Sequence, residues 1–163
     1  MKLFLTVALF SLAFLSDAKP KKEKWIQLFN GKNLKNWTVK IHHHEVGDNY
    51  GNTFRAEDGI IKVRYDQYDQ FNERYGHLYF NKPFSNYILR LQYRFTGLWR
   101  KDAPSYTERN SGVMFHSQDP HTMPKEQDWP ISVEMQFLGV LADGKPRPTG
   151  NMCSPGTDVV YNG

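Results

Sequence analysis

From Trp25 onward, short apolar runs are separated by turn residues, and no stretch longer than a few residues keeps the 3.6-residue spacing of an amphipathic helix. The pattern predicts an all-β protein. Trp25–Phe29 is expected as the first strand, closed by the turn dipeptide Asn30-Gly31, and Trp37–Ile41 as the second. Thr53–Glu57 and Ile60–Arg64 flank Asp58-Gly59, the clearest two-residue hairpin in the sequence. His77–Asn81 leads through Pro83 to a long strand, Tyr87–Thr96. There Tyr87, Leu89, Leu91, Tyr93 and Phe95 are expected to face a core, and Arg90, Gln92 and Arg94 to face away. Residues 97–109 and 117–130 read as loops. Between and after them come the strands Ser111–His116 and Ile131–Leu138. The latter alternates Ile131, Val133, Met135 and Phe137 against Ser132, Glu134 and Gln136. The Gly- and Pro-rich segment 139–155 reads as loop, and Thr157–Tyr161 as the start of a further strand.

Many strands with polar stripes, broken by turn signals every ten or so residues, point to an antiparallel sandwich or barrel. A sandwich is preferred, because its sheets can curve to present one polar concave face as a ligand groove. An eight-stranded barrel is the alternative. Aromatic residues make up 15% of the chain and many lie in the alternating stretches, which favours strands with large side chains.

The start of the chain changes the picture. Met1-Lys2, the apolar stretch Leu3–Leu15 and the small residues Ser16 and Ala18 have the three parts of a cleavable signal peptide. As a helix, that apolar stretch spans about 20 Å against roughly 30 Å of hydrocarbon, too short for an anchor. Lys19, not Cys, follows the expected cleavage point, so a lipoprotein is not expected. The expected organisation is a signal peptide (1–18), a basic N-terminal arm (19–23) and a single domain (24–163), secreted or periplasmic, with no stable transmembrane segment after cleavage. Cys153 is the sole cysteine, so no internal disulfide forms and the fold stands on its core. The formal net charge of +4 is partly spent in the arm, and nucleic acid is not the expected partner of an exported protein.

Glu134 and Gln136 share one strand face, which sets a base beside a hydrogen-bonding amide. If the polar faces of other strands lie alongside, Arg90, Gln92, Arg94 and His116 complete a cluster suited to a sugar or other oxygen-rich substrate. An arginine beside Glu134 would keep the carboxylate ionised. Trp37, Trp99 and Trp129 are candidates to stack on sugar rings, Trp99 and Trp129 the better ones because they lie in or beside polar loops; Trp25 reads as core filler. The run His42-His43-His44 with Glu45 and Asp48 invites a metal reading. Successive strand residues alternate faces, however, so three consecutive histidines reach one ion only from an irregular loop, and a solvated loop is preferred. The paired carboxylates of an ordinary glycoside hydrolase are unsupported around Glu134.

The segments "WIQLFNGKNLKNW" (25–37), "EDGII" (57–61), "NSGVMFH" (110–116) and "SVEMQ" (132–136) resemble the 3-keto-disaccharide hydrolase domain family in order and spacing. That resemblance implies a concanavalin A-like jelly-roll β-sandwich acting on glycosides oxidised at carbon 3. Members run longer than this chain, so the resemblance also implies a domain lacking its C-terminal strands, a truncated product or fragment. In this chemistry the ketone acidifies the hydrogen on carbon 2. One base removes it, the enolate expels the substituent on carbon 1, and water adds back. The expected base is Glu134 or His116, with Arg94 or a divalent metal holding the enolate. Gln136 would orient the sugar. Asn110 is either a ligand contact or a turn stabiliser. A non-catalytic carbohydrate-binding module of the cell envelope is the alternative function.

Overall fold

The computed structural model describes residues 24–141 and 143–160. The predicted signal peptide (1–18) and basic arm (19–23) lie outside the described residues. What is described is all-β and antiparallel throughout, as a β-sandwich requires, with seven strands and three short 3-10 turns. Among these residues no helix is long and apolar enough to cross a membrane.

The strands are β1 (Trp37–Ile41), β2 (Phe54–Glu57), β3 (Ile60–Val63), β4 (Gly76–Phe80), β5 (Asn110–Phe115), β6 (Val133–Leu138) and β7 (Asn151–Cys153). They form the pair β1-β4, the hairpin β2-β3 and the three-stranded sheet β5-β6-β7. Asp58 and Gly59 close the β2-β3 hairpin with φ of 54° and 76°. Positive φ at both positions matches the twist of the strands, which is why an Asp-Gly pair stands there. β1 pairs with β4 around this hairpin, Trp37 opposite Phe80 and Ile41 opposite Gly76.

Two apolar clusters form outside the β5-β6-β7 sheet. Val39, Ile41 and Phe54 are buried against Leu34, Tyr50 and Leu78, so the β1-β4 pair rests on the hairpin. Phe71, Tyr75 and Ala103 form the second cluster, with Tyr65, Trp99 and Trp129 packed on it. Ile41 is wholly buried. Removing its three outer carbons leaves a cavity that the paired strands cannot close, so Ile41→Ala is expected to cost about 2–5 kcal/mol, read from urea unfolding.

Four expectations are corrected. Trp25–Phe29 forms no strand: no neighbour among the described residues takes its backbone hydrogen bonds, and Trp25 is 49% exposed rather than core, with the Arg90 guanidinium 4.1 Å above its ring. The turn after it does form, because the Asn30 side-chain oxygen accepts from the backbone N–H of Lys32 and Asn33. Tyr87–Thr96 also joins no ladder. Its face pattern is met in part: Tyr87 stacks on Phe115 and Tyr93 on Phe137 (centroids 4.3 Å apart), while Phe95 lies against Gly139. The segment crosses the β5-β6 sheet by side-chain contact, and Tyr87, Leu91 and Tyr93 stay about half exposed. No strand forms in 157–160, and Tyr161 lies outside the described residues. Conversely, the loop predicted over 139–155 contains β7, whose three residues are too few to show a period.

Candidate active site

β6 is the central strand of its sheet, and a period of two puts Glu134 and Gln136 on one face. The register then dictates their neighbours. Met114 of β5 and Cys153 of β7 flank Glu134; Gly112 and Asn151 flank Gln136. Asn151 Nδ2 donates to Gln136 Oε1 at 3.2 Å, and among the described residues nothing accepts from the Gln136 amide N–H groups.

Glu134 leans across the sheet onto Gly112. A Cβ at position 112 would stand 2.1 Å from Glu134 Oε1, 2.7 Å from Cγ and 2.8 Å from Cδ, so only glycine admits this placement. The carboxylate is half-buried, and burial pushes its pKa upward with no charge or hydrogen bond opposing it. Burial and the Glu134 charge together push the Cys153 thiol up as well. This corrects the expectation of an arginine keeping Glu134 ionised. β5 and β7 take both flanks of β6, the Tyr87–Thr96 segment is not a strand beside it, and Arg90 is engaged with Trp25.

The other predicted residues share a cleft with Glu134 and Gln136 without touching them. Arg90, Arg94, Trp99, Asn110, His116 and Trp129 all border it, but it runs past both faces of the β5-β6 sheet, and the segment carrying Arg90 and Arg94 packs on the face opposite Glu134. At about 3630 Å³ the cleft far exceeds the roughly 300–1,000 Å³ of a small-molecule site, so lining it does not by itself make residues neighbours in chemistry. Asn110 Nδ2 donates to the Tyr106 carbonyl at 2.9 Å and so fixes the turn before β5. His116 is exposed just past β5, with a left-handed φ of 49°. Arg94 is exposed. Trp99 and Trp129 are half-buried walls rather than free platforms: Trp99 Nε1 donates to Thr107 Oγ1, and Trp129 packs edge-on against Tyr75 at 4.2 Å. Arg100 and Asp102 brace that wall. Arg100 reaches the carbonyls of Tyr65 and Tyr68, and Asp102 accepts from the Phe71 N–H while paired with Arg100, which holds its carboxyl at about 2.

Asn151 and Gly112 were not singled out by sequence reasoning. Asn151 lies in a Gly- and Pro-rich stretch, and nothing local marks it. Gly112 carried a legible signal, a glycine inside a strand pattern, which often means close approach of another group.

The histidine run is not a solvated loop. His42 is 7% exposed and its Nδ1 bonds the Glu73 carbonyl at 2.8 Å. His43 turns to Glu126 with its ring stacked on that of His42, while His44 turns away to Asp48.

No curated protein and no solved structure matches the chain. Residues 24–161, which include every strand described above, match the family model of the 3-keto-alpha-glucoside-1,2-lyase-like domain, and the chain belongs to that family.

Proposed function

We propose that the protein is an exported enzyme that cleaves 3-keto-glycosides, including 3-keto-disaccharides, with Glu134 as the base. The observation carrying this reading is the half-buried Glu134 carboxylate, which no charge among the described residues neutralises and which sits in a cleft beside the Gln136 amide donor. A carboxylate so placed is a stronger base than an exposed one, and a carbon acid flanked by a ketone needs only one base. The family description, a 1,2-lyase acting on 3-keto-alpha-glucosides, supports an elimination across carbons 1 and 2.

In the proposed sequence Glu134 takes the proton from carbon 2, and the electron pair of that bond forms the enolate on the carbon 3 oxygen. The enolate collapses, the bond from carbon 1 to the glycosidic oxygen breaks, and the departing oxygen takes a proton. Water then adds its oxygen to carbon 1 and a proton to carbon 2. Gln136, its own oxygen held by Asn151, orients the sugar through its N–H groups. His116 is assigned to proton transfer at the leaving group and a divalent cation to the enolate oxygen. Arg90 and Arg94 are not assigned, because their segment packs through Tyr87 on Phe115 and Tyr93 on Phe137, on the sheet face opposite Glu134. Asn110, Trp99 and Trp129 would contact the more distant parts of the substrate.

The test is incubation with a 3-keto-glucoside while following aglycone release. Turnover is expected. Binding without turnover would make the protein a carbohydrate-binding module, and a melting temperature indifferent to every 3-keto-sugar would remove both readings. The rate should also report the burial of Glu134. Catalysis needs the ionised carboxylate, so kcat/KM is expected to fall on acidification with a midpoint above the range of an exposed glutamate. A midpoint at or below that range would move the base elsewhere.

A further inference from the structure

We propose that His42, His43 and Glu126 bind one divalent transition-metal ion of the zinc class, at a site separate from the cleft. One potential ligand atom from each lies within 4.8 Å of the others. The local backbone explains how two consecutive histidines manage this. His43 has a φ of 70°, which breaks the alternation of an extended strand and stacks its ring on that of His42, centroids 3.7 Å apart.

Both histidines are held by groups outside the trio. His42 Nδ1 faces the Glu73 carbonyl, which only accepts, so Nδ1 carries the proton and Nε2 keeps its lone pair. A backbone carbonyl on the far nitrogen is the usual arrangement that orients a metal-binding imidazole. The His42 N–H is itself tied to the Tyr75 carbonyl and the His43 N–H to that of Lys125. The second of these bonds brings the 117–132 loop alongside and sets Glu126 Oε2 2.6 Å from His43 Nδ1.

Two imidazoles and one carboxylate match the tetrahedral preference of zinc, with water as fourth ligand at the exposed side. A single carboxylate is too few oxygens for calcium or magnesium. The Lys40 ammonium nearby opposes any cation. It is buried and turns to the carbonyls of Ile41 and His44. Glu45, paired with Lys125 at 2.7 Å, adds compensating negative charge at the rim. None of the three ligands lines the cleft, so the ion would act as a staple between the end of β1 and the loop that carries Trp129.

The experiment is calorimetric titration of untagged, chelator-treated protein with zinc chloride, alongside thermal melts. One equivalent is expected to bind and to raise the melting temperature. His43→Ala and Glu126→Gln are each expected to weaken binding at least tenfold, and His44→Ala to leave it unchanged. No binding by the parent protein, equal binding by all variants, or calcium binding as tight as zinc would overturn the proposal. None of these results depends on turnover of a sugar.

Discussion

Replacing Glu134 by glutamine is expected to lower kcat on a 3-keto-glucoside by about 10²- to 10⁴-fold, the contribution of a positioned general base. The substitution keeps size and hydrogen-bonding atoms while removing the capacity to accept a proton. Stability should move the other way. The folded-state pKa of Glu134 is raised, so the fold favours its protonated form. Its favourable contribution is full below the unfolded pKa and is lost as pH rises through the folded value. At neutral pH the parent protein therefore carries a half-buried charge that glutamine lacks, and the variant should unfold at an equal or higher urea concentration. Lost activity with undiminished stability separates a chemical role from a structural one. A variant that turns over at the parent rate would shift the role of base to His116.

Gly112→Ala is expected to reduce kcat by about 10²-fold without touching any reacting group. Its new Cβ would collide with Oε1, Cγ and Cδ of Glu134, so the whole side chain must swing away, not merely its tip. A displacement of about 1 Å at a reacting group costs on that order. Alanine is otherwise acceptable in a strand interior, where glycine is the weaker residue, so the sheet should persist. Combining the substitutions sharpens the test: in a Glu134→Gln background the added methyl should cost nothing further, because both changes remove the same function. Additive losses, or a Gly112→Ala enzyme at full rate, would show that the carboxylate does not work from the position it occupies above Gly112.

The parts of the fold that were legible in the sequence are those whose causes are local. Asp58-Gly59 predicts its hairpin because the demand for positive φ belongs to those two residues alone. The alternation in 131–138 places Glu134 and Gln136 on one face, and it does so whatever lies beside the strand. Tyr87–Thr96 marks where this logic stops. Its alternation correctly gives the side that meets Phe115 and Phe137, but side-chain pattern encodes a face, whereas a ladder depends on which backbone lies alongside. The same gap misplaced the arginines. Whether Arg94 or Cys153 flanks Glu134 is a question of strand order, and strand order is decided by three-dimensional packing. The histidine run is the opposite case: its local pattern reads as a solvated loop, but His42 is buried because its ring bonds the Glu73 carbonyl, a partner distant in sequence.

Because β1 pairs with β4 around the β2-β3 hairpin, the strands of the first half cannot all assemble at the same speed. A hairpin joined by two residues closes in about 1–10 μs. The β1-β4 ladder must first bring together ends separated by residues 42–75, an entropic cost that is met before any contact repays it. The order of events is thus written into the topology: the hairpin forms early and presents Phe54 as the surface on which Val39 and Ile41 of the later pair condense. The floor of the first cluster is a template as much as a core.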